Sequence, residues 1–474
     1  MGPALALAGS LLTASCTVGP DYTSPAVDMP AAFGGITGTG SGGAATPVDA
    51  AVQNAWWAGL QAPVLTDLVT RAADRNLTVA AARARVREAR ALRRAAGAAF
   101  DPRLDAAAGV RTGRTSKTVD SNDTGGNSDF HSVGFDAAWE IDLFGGGWRT
   151  AEAATARYEV AIEEARGVLI TVMAEVARNY VELCAAQRRM VLAESTIAMR
   201  QRLAERVRNR YRAGLAVEYD VAGSEAQLER SRAQVPKLRA QIRAAAHRIA
   251  VLTGDNPSNL VERLTAEQPP PAAPDLVPVG LPSDLLQRRP DLRRAERAVH
   301  AATAEVGVAT ADLFPRVSLT GSVGLRSGSF TDLFQAASGA WSFGPSITIP
   351  LFNQGRLQAL VDAAGARAEA SVAEYRQAVL IALEEVENEL VRHAQEQIRS
   401  RDLRQAVARS RRALELATDL YDRGLKDIVN VLSAQREANE AEEALIASET
   451  AAMLHLVALY KALGGGWAPS DLMG

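Results

Sequence analysis

The sequence is poor in cysteine, in aromatic residues and in net charge, and each shortage excludes a class of protein. It has two cysteines in 474 residues, 5% aromatic residues and a formal net charge of -3. Neither cysteine stands in a C-x-x-C or histidine-rich context, so redox and zinc motifs are excluded. The near-neutral charge provides no basic field to attract nucleic acid, so we predict no nucleic-acid partner.

Long hydrophobic runs are missing as well. No run of about twenty apolar residues follows the N-terminal segment, so the sequence offers no transmembrane helix, and a chain of this kind can cross a membrane only as a closed β-barrel. What is abundant is alanine, within a hydrophobic fraction of 47%. This composition favours long helices that pack through small side chains.

Catalytic and cofactor motifs are also absent from the sequence. The histidines are scattered, and no H-E-x-x-H or G-x-S-x-G pattern occurs. Three glycines at 145–147 follow a predicted strand and precede a helix, but the G-x-x-x-x-G-K-[ST] pattern of a phosphate loop is missing. We therefore predict a protein that is not an enzyme and that binds no cofactor or metal.

The N-terminus resembles an export signal. Residues 1–15 are apolar and end in small residues immediately before Cys16. This pattern predicts a signal peptide over 1–15 and a lipid attached to Cys16, the alternative being an ordinary thiol. Residues 16–62 are rich in Ala, Gly, Thr and Pro, which predicts an extended arm without a core of its own.

The rest of the chain is a duplication with a period of about 210 residues. The first repeat covers 63–267 and the second 282–463. A proline-rich linker at 268–281 separates them, and residues 464–474 form a C-terminal tail. Each repeat begins with a helical pattern, over 63–99 and 282–312, and continues with two segments that alternate between apolar and polar residues.

The alternating segments cover 104–112, 132–143, 317–326 and 341–351, and their period of two predicts strands with one apolar face. The long polar loop between the two strands of each repeat is typical of an outer-membrane barrel. Trp139 and Trp341 would lie at the membrane–water interfaces of such a barrel. Four strands are too few to close a barrel, because about eight is the smallest number known. The strands therefore form either a soluble sheet packed on helices or one part of a barrel shared by several chains.

Long helical patterns follow each strand pair. Proline is absent from 149–212 and 357–423, and a helix of about 65 residues would be about 100 Å long. Gly214 and Gly424 mark reversals, after which returning helices are predicted over 217–252 and 427–463. Pro236 interrupts the first returning helix and should kink it. Each repeat is thus predicted to contain a coiled helical hairpin.

Several strings of residues resemble one known family. Cys16-Thr-Val-Gly-Pro-Asp-Tyr22, the Trp56-Trp57 pair, Leu281-Pro-Ser-Asp-Leu-Leu-Gln-Arg-Arg-Pro-Asp-Leu292 and Tyr421-Asp-Arg-Gly-Leu-Lys426 are similar to the OprM/NodT-type branch of the TolC-like outer-membrane efflux proteins. The resemblance covers nearly the whole chain.

The resemblance implies a fold and a set of partners. The fold is mainly α with a membrane β-barrel. Three chains contribute four strands each to one twelve-stranded barrel, and their helices form a periplasmic tunnel. A periplasmic adaptor protein and an inner-membrane RND transporter would complete a multidrug pump in which this chain, anchored to outer-membrane lipid, is a passive exit duct for drugs or other small compounds.

The resemblance also implies a gate at the periplasmic end. Carried over by position, Tyr421 and Lys426 would reach across to the neighbouring reversal at Tyr219 and Asp220, with a hydrogen bond from Tyr421 to Asp220. Family members often place aspartates at the positions of Asn430 and Ser433, where they form an acidic ring. Neither residue is acidic here, so the cation preference of such a ring is not implied, although both can line the aperture.

Two other functions fit parts of the sequence. A soluble coiled-coil scaffold would account for the helices but not for the signal-like start or the alternating strands. A channel for type I protein secretion would have the same fold. The lipoprotein-like start and the 281–292 string favour efflux.

Overall fold

The computed structural model of the chain describes residues 17–34, 54–114, 127–274 and 279–467. The first repeat contains α1 (Pro63–Arg75), α2 (Leu77–Gly97), β1 (Arg103–Arg114), β2 (Asn127–Ile141), α3 (Gly146–Arg212), α4 (Glu218–Arg232), α5 (Gln234–Leu252) and α6 (Val261–Thr265). The second contains α7 (Leu285–Arg288), α8 (Pro290–Ala311), β3 (Arg316–Ser327), β4 (Gly339–Thr348), α9 (Gln354–Asp422) and α10 (Ile428–Ala462).

The chain divides into two compact units, and each takes segments from both repeats. The first unit comprises the described parts of 1–26, 86–161 and 294–375, and it holds the whole sheet. The second comprises those of 27–85, 162–293 and 376–474, and it holds both helix reversals. Each repeat runs through both units, because its long helix begins in one and ends in the other.

The four strands form one antiparallel sheet in the order β1-β2-β3-β4, which confirms the predicted strands to within a few residues at each end. Phe135 of β2 lies opposite Ala106 of β1 and Val323 of β3, and Val323 lies opposite Trp341 of β4. Opposite residues of antiparallel strands point to the same side of a sheet. The apolar residues of all four strands therefore share one face.

This apolar face is exposed in the single chain. Trp341 is 80% exposed, Val110 70% and Phe343 69%. The opposite face carries Asp105 beside Asp136, in line with Ser322 and Ser342. The sheet thus has one apolar and one polar face.

The helix predicted over 63–99 is in fact two helices that meet at Asn76. The Asn76 side-chain oxygen accepts hydrogen bonds from the backbone N–H groups of Thr78 and Val79, at 2.8 and 3.1 Å. Its side-chain nitrogen donates to the carbonyl of Leu252 at 2.8 Å. Asn76 therefore ends α1 and caps α2, since a side chain that satisfies the first free N–H groups favours a new helix start.

The helix predicted over 282–312 is also divided, at Arg289. This residue is extended, and α8 begins at Pro290, because proline suits the first position of a helix and disfavours helical geometry in the residue before it. The buried Arg289 side chain donates to the carbonyl of Ala462 at 2.9 Å and forms ion pairs with Asp291 and Glu385, at 2.7 and 2.8 Å. The 281–292 string therefore ties the end of α10 in place.

Pro236 breaks the first returning helix, as predicted. Helix α4 ends at Arg232 and α5 begins at Gln234, so the break lies at Ala233, three residues before the proline. Proline has no N–H to donate to the carbonyl four residues earlier, which is that of Arg232. The second returning helix, α10, has no proline and runs without a break.

The sequence was expected to offer no transmembrane helix, but α10 is long and apolar enough to cross a membrane, alone among the helices that the structure describes. Leu456 and Leu459 are fully buried, so part of its apolar character is used in packing. Both lie in the core of the second unit, as do Tyr180 and Leu183 of α3. Cys184 is buried there too.

Candidate functional site: the two helix reversals

The two helix reversals have the same backbone. Gly214 and Gly424 both have a φ of +74°. In each reversal the residue after the glycine donates its N–H to a carbonyl five residues earlier: Leu215 to Arg210 and Leu425 to Leu420, both at 2.8 Å. Nothing lies within 4 Å of a Cβ added at either glycine. The glycines are therefore required by the left-handed backbone rather than by lack of space.

Tyr421 stands at the end of α9 and is only 5% exposed. It belongs to a buried cluster that draws residues from the ends of both long helices and from α10. Its other members are Leu203, Val207, Ile428 and Val431. Desolvation by this cluster raises the pKa of Tyr421, so its hydroxyl stays protonated throughout the neutral range.

Arg210 of α3 covers Tyr421. Its guanidinium carbon lies 4.8 Å from the centre of the tyrosine ring, and its Nη1 donates to the Tyr421 carbonyl at 3.3 Å. A guanidinium over an aromatic face is attracted by the ring electrons. This contact joins the two reversals within one chain.

The predicted hydrogen bond between Tyr421 and Asp220 does not form within the chain as described. The Asp220 carboxylate instead accepts from the backbone N–H of Val217 at 3.4 Å, at the start of its own helix. Burial is the main cause of the raised pKa of Tyr421, and the nearby negative charge of Asp220 raises this pKa further. The two residues are thus brought near each other without a bond between them.

The remaining predicted gate residues lie at the surface. Tyr219 is 79% exposed, and Lys426 is exposed with no ion pair to any described residue. Asn430 is exposed and donates to the carbonyl of Asp427 at 3.4 Å. Ser433 is half-buried and donates to Glu437 at 3.3 Å. Among the described residues, the hydrogen bonds of Asn430 and Ser433 are thus to near neighbours in the sequence.

Sequence reasoning missed two contributions from α3. Besides Arg210, Arg206 forms an ion pair in which its Nη1 lies 3.0 and 2.9 Å from the two carboxylate oxygens of Asp422. Comparison of the two repeats could have singled out both arginines, because the matching positions of the second repeat are Leu416 and Leu420.

The predicted lipid site, Cys16, lies outside the described residues, but the segment after it is held in place. The N–H of Val18 donates to the carbonyl of Phe144 at 3.1 Å. Arg149, at the start of α3, forms an ion pair with Asp21 at 2.7 Å and donates to the carbonyls of Val18 and Gly19. The segment after Cys16 is thus fixed where β2 ends and α3 begins.

Comparison with known proteins covers nearly the whole chain. The family model described as outer membrane efflux protein matches residues 68–255 and 281–465. Nodulation protein T of Rhizobium leguminosarum bv. trifolii is 32% identical over 468 residues, which cover 97% of this chain and 96% of that protein. Outer membrane protein OprJ of Pseudomonas aeruginosa is 31% identical over 463 residues, with coverage of 98% and 95%.

Solved structures show the same fold. The outer-membrane channel OprN is 36% identical and superposes with a TM-score of 0.89, over 96% of this chain and 100% of that one. CusC, described as forming a transmembrane channel, is 27% identical with a TM-score of 0.82, over 95% and 100%. The chain therefore belongs to the outer membrane efflux protein family, in its OprM/NodT-type subgroup, a family of efflux channels.

Proposed function

We propose that this protein is the outer-membrane duct of a tripartite RND-type multidrug efflux system. It works as a homotrimer that a periplasmic adaptor protein connects to an inner-membrane RND transporter. The duct supplies no energy, and it is opened and closed at its periplasmic end. Relatives named as outer-membrane proteins of a solvent efflux pump and of pyoverdine export, 31% identical each, support the role of a pump component with variable cargo.

The observation that carries this proposal is the four-stranded sheet. Its apolar residues lie on one exposed face, and its edge strands β1 and β4 have no partner on their outer sides among the described residues. In a bilayer each unsatisfied edge group costs several kcal/mol. Three copies that join β4 of one chain to β1 of the next would remove every edge and turn the apolar faces towards lipid.

Charged residues of the helices next to the sheet support the same association. On α2, Arg87 and Arg94 lie seven positions apart and form no ion pair with described residues. On α9, Asp362 and Glu369 are likewise seven apart, exposed and without an ion pair. Because α2 leads into β1 and α9 follows β4, joining β4 of one copy to β1 of another would bring α2 and α9 of neighbouring copies together.

A lipid on Cys16 is consistent with this arrangement. The next residue, Thr17, packs closely on Gly145. A Cβ added at Gly145 would lie only 2.7 Å from the methyl group of Thr17. Gly145 follows the end of β2 by four residues. An acyl chain on Cys16 would therefore enter the membrane near that end of the sheet. Mass spectrometry of the exported protein tests the modification.

For the gate, we propose that Tyr421 and Lys426 form links with Tyr219 and Asp220 that hold the closed state, and that Asn430 and Ser433 line the aperture. The buried ring of Tyr421 and the nearby carboxylate of Asp220 support this role. The hydrogen bond from Tyr421 to Asp220 would contribute about 1.5–3 kcal/mol.

Conductance in planar bilayers tests both the duct and the gate. The wild-type protein is expected to form channels, and Tyr421→Phe combined with Lys426→Ala is expected to raise their conductance. The ring of residue 421 stays in its cluster in this variant, so an increase reports lost links rather than unfolding. The control is Tyr211→Phe at the matching position of the first repeat. A wild-type protein that forms no channels would contradict the proposed duct function. Unchanged conductance of the double variant would contradict only the proposed gate residues.

A further inference from the structure

The break at Ala233 accompanies a cavity in the second unit. This cavity has a volume of about 500 Å³ and lies between α3, the end of α4, the start of α5 and α10. The second repeat contains no proline at the position that matches Pro236, where Ile446 stands in the unbroken α10. The cavity therefore adjoins a feature that distinguishes the first repeat from the second.

Positive charge dominates the walls of the cavity. Four cationic side chains line it, with a single carboxylate among them, that of Glu443. The four are Arg189, Arg200, Arg230 and Lys237. Glu443 lies 3.4 Å from the Nε of Arg189 and pairs with it. The other three cationic side chains form no ion pair with any described residue.

Arg200 is the most constrained of the four. Its Nη1 donates to the carbonyl of Gln227 at 2.9 Å and to the hydroxyl of Ser231 at 2.5 Å, both in α4. Its Nε is buried and has no hydrogen-bond partner among the described residues. Burial lowers the pKa of the guanidinium, and no carboxylate offsets this effect. A partly buried cation without a counter-charge is costly. An anion bound beside Arg200 would reduce this cost.

We propose that this cavity binds a small oxyanion such as phosphate or a small carboxylate, with Arg200 as its anchor. Nη1 makes both hydrogen bonds of the Arg200 guanidinium to described residues, which leaves Nη2 for an oxygen of such an anion, and hydrogen bonds between charged groups are strong. Arg230 and Lys237 supply further positive charge from α4 and α5. The cavity has the size of a small-molecule site, and this proposal is independent of the channel function.

The second repeat lacks the same set of residues. Ser410 matches Arg200 in the duplication, and its hydroxyl donates to the carbonyl of Ala406. Glu440 matches Arg230, and Ala447 matches Lys237. One oxyanion is therefore expected per chain, bound only by the first repeat.

Isothermal titration calorimetry of the purified full-length protein with inorganic phosphate tests the proposal. Sodium chloride holds the ionic strength constant, so that general screening does not contribute to the signal. We expect saturable binding at one site per chain. Arg200→Gln should weaken it by about tenfold or more, since it removes hydrogen bonds to a charged group. Arg202→Gln, an exposed arginine on the same helix, should bind as the wild type does.

A second variant keeps the test decisive if Arg200→Gln folds poorly. Gln241→Glu places a carboxylate in the wall of the cavity. It should abolish phosphate binding and raise the melting temperature in the absence of phosphate, because Arg200 gains a counter-charge. Either no saturable heat with the wild type, or equal affinity in wild type, Arg200→Gln and Gln241→Glu, would overturn the proposal.

Discussion

The two helix reversals share one backbone but differ in what surrounds them. Both turn through a glycine at +74°, with the same hydrogen bonds. In the second reversal Tyr421 is buried under Arg210, whereas its counterpart Tyr211 is 44% exposed. The helix that follows is continuous in the second repeat and broken in the first. Duplication has thus preserved the turn, while the contacts that hold each turn have diverged.

The largest expected effect is the difference in stability loss between alanine substitutions of Tyr421 and Tyr211. Tyr421→Ala removes a buried ring and should lower local stability by about 3–5 kcal/mol, whereas Tyr211→Ala, at an exposed position, should change it by no more than about 0.5 kcal/mol. Hydrogen exchange of amides near 415–430 and 205–220 measures the local opening free energies. Equal losses in the two variants would remove the distinction between the reversals.

The two glycines should behave alike. Gly214→Ala and Gly424→Ala each place a Cβ on a left-handed residue, and each should cost about 1–2 kcal/mol. Because no neighbour lies near either position, the two costs should agree closely. The same exchange experiment measures them, and a large difference would mean that the backbones are not equivalent.

Replacing Pro236 should make the first returning helix resemble the second. Pro236→Ala supplies an N–H for the carbonyl of Arg232, so α4 and α5 should join. The expected change in overall stability is within about 1 kcal/mol, since the loss of proline also frees the unfolded chain. Greater protection of amides 232–238 from exchange would confirm the join. Unchanged protection would show that something other than the proline holds the break.

The smallest effect is expected at the ion pair between the reversals. Arg206 and Asp422 are both about half exposed, and exposed pairs contribute about 0–1 kcal/mol. Arg206→Ala should therefore change the exchange of amides 415–430 far less than Tyr421→Ala does. A comparable effect would place the ion pair, rather than the buried ring, at the centre of the second reversal.

Local signals in the sequence were sufficient for much of the fold. Alternation predicted all four strands, and Gly214, Gly424 and Pro236 predicted the reversals and the break, because each acts through its own backbone. The division at Asn76 was missed, since an asparagine within a helical pattern can cap a helix or simply face solvent. The outcome there is decided by the bond from Asn76 to Leu252, a residue 176 positions away.

The candidate site was less predictable, for a related reason. Tyr211 and Tyr421 precede similar glycine turns, so the local sequence does not show which ring is buried. That difference arises from Leu203, Val207 and Arg210, more than 200 positions before Tyr421. The sequence also did not reveal that Asp220 accepts a hydrogen bond from the backbone N–H of Val217 at the start of its own helix, and the link from Tyr421 to Asp220 stays a prediction.

The central claim is that copies of the chain must share one sheet, and the mass of the native particle tests it most directly. Light scattering of the protein extracted from membranes in mild detergent, corrected for bound detergent, gives that mass. The account predicts three times the mass of one mature chain, whose polypeptide without residues 1–15 is slightly lighter than the 50.2 kDa of the full sequence. A particle with the mass of one chain that stays in solution without detergent would contradict it.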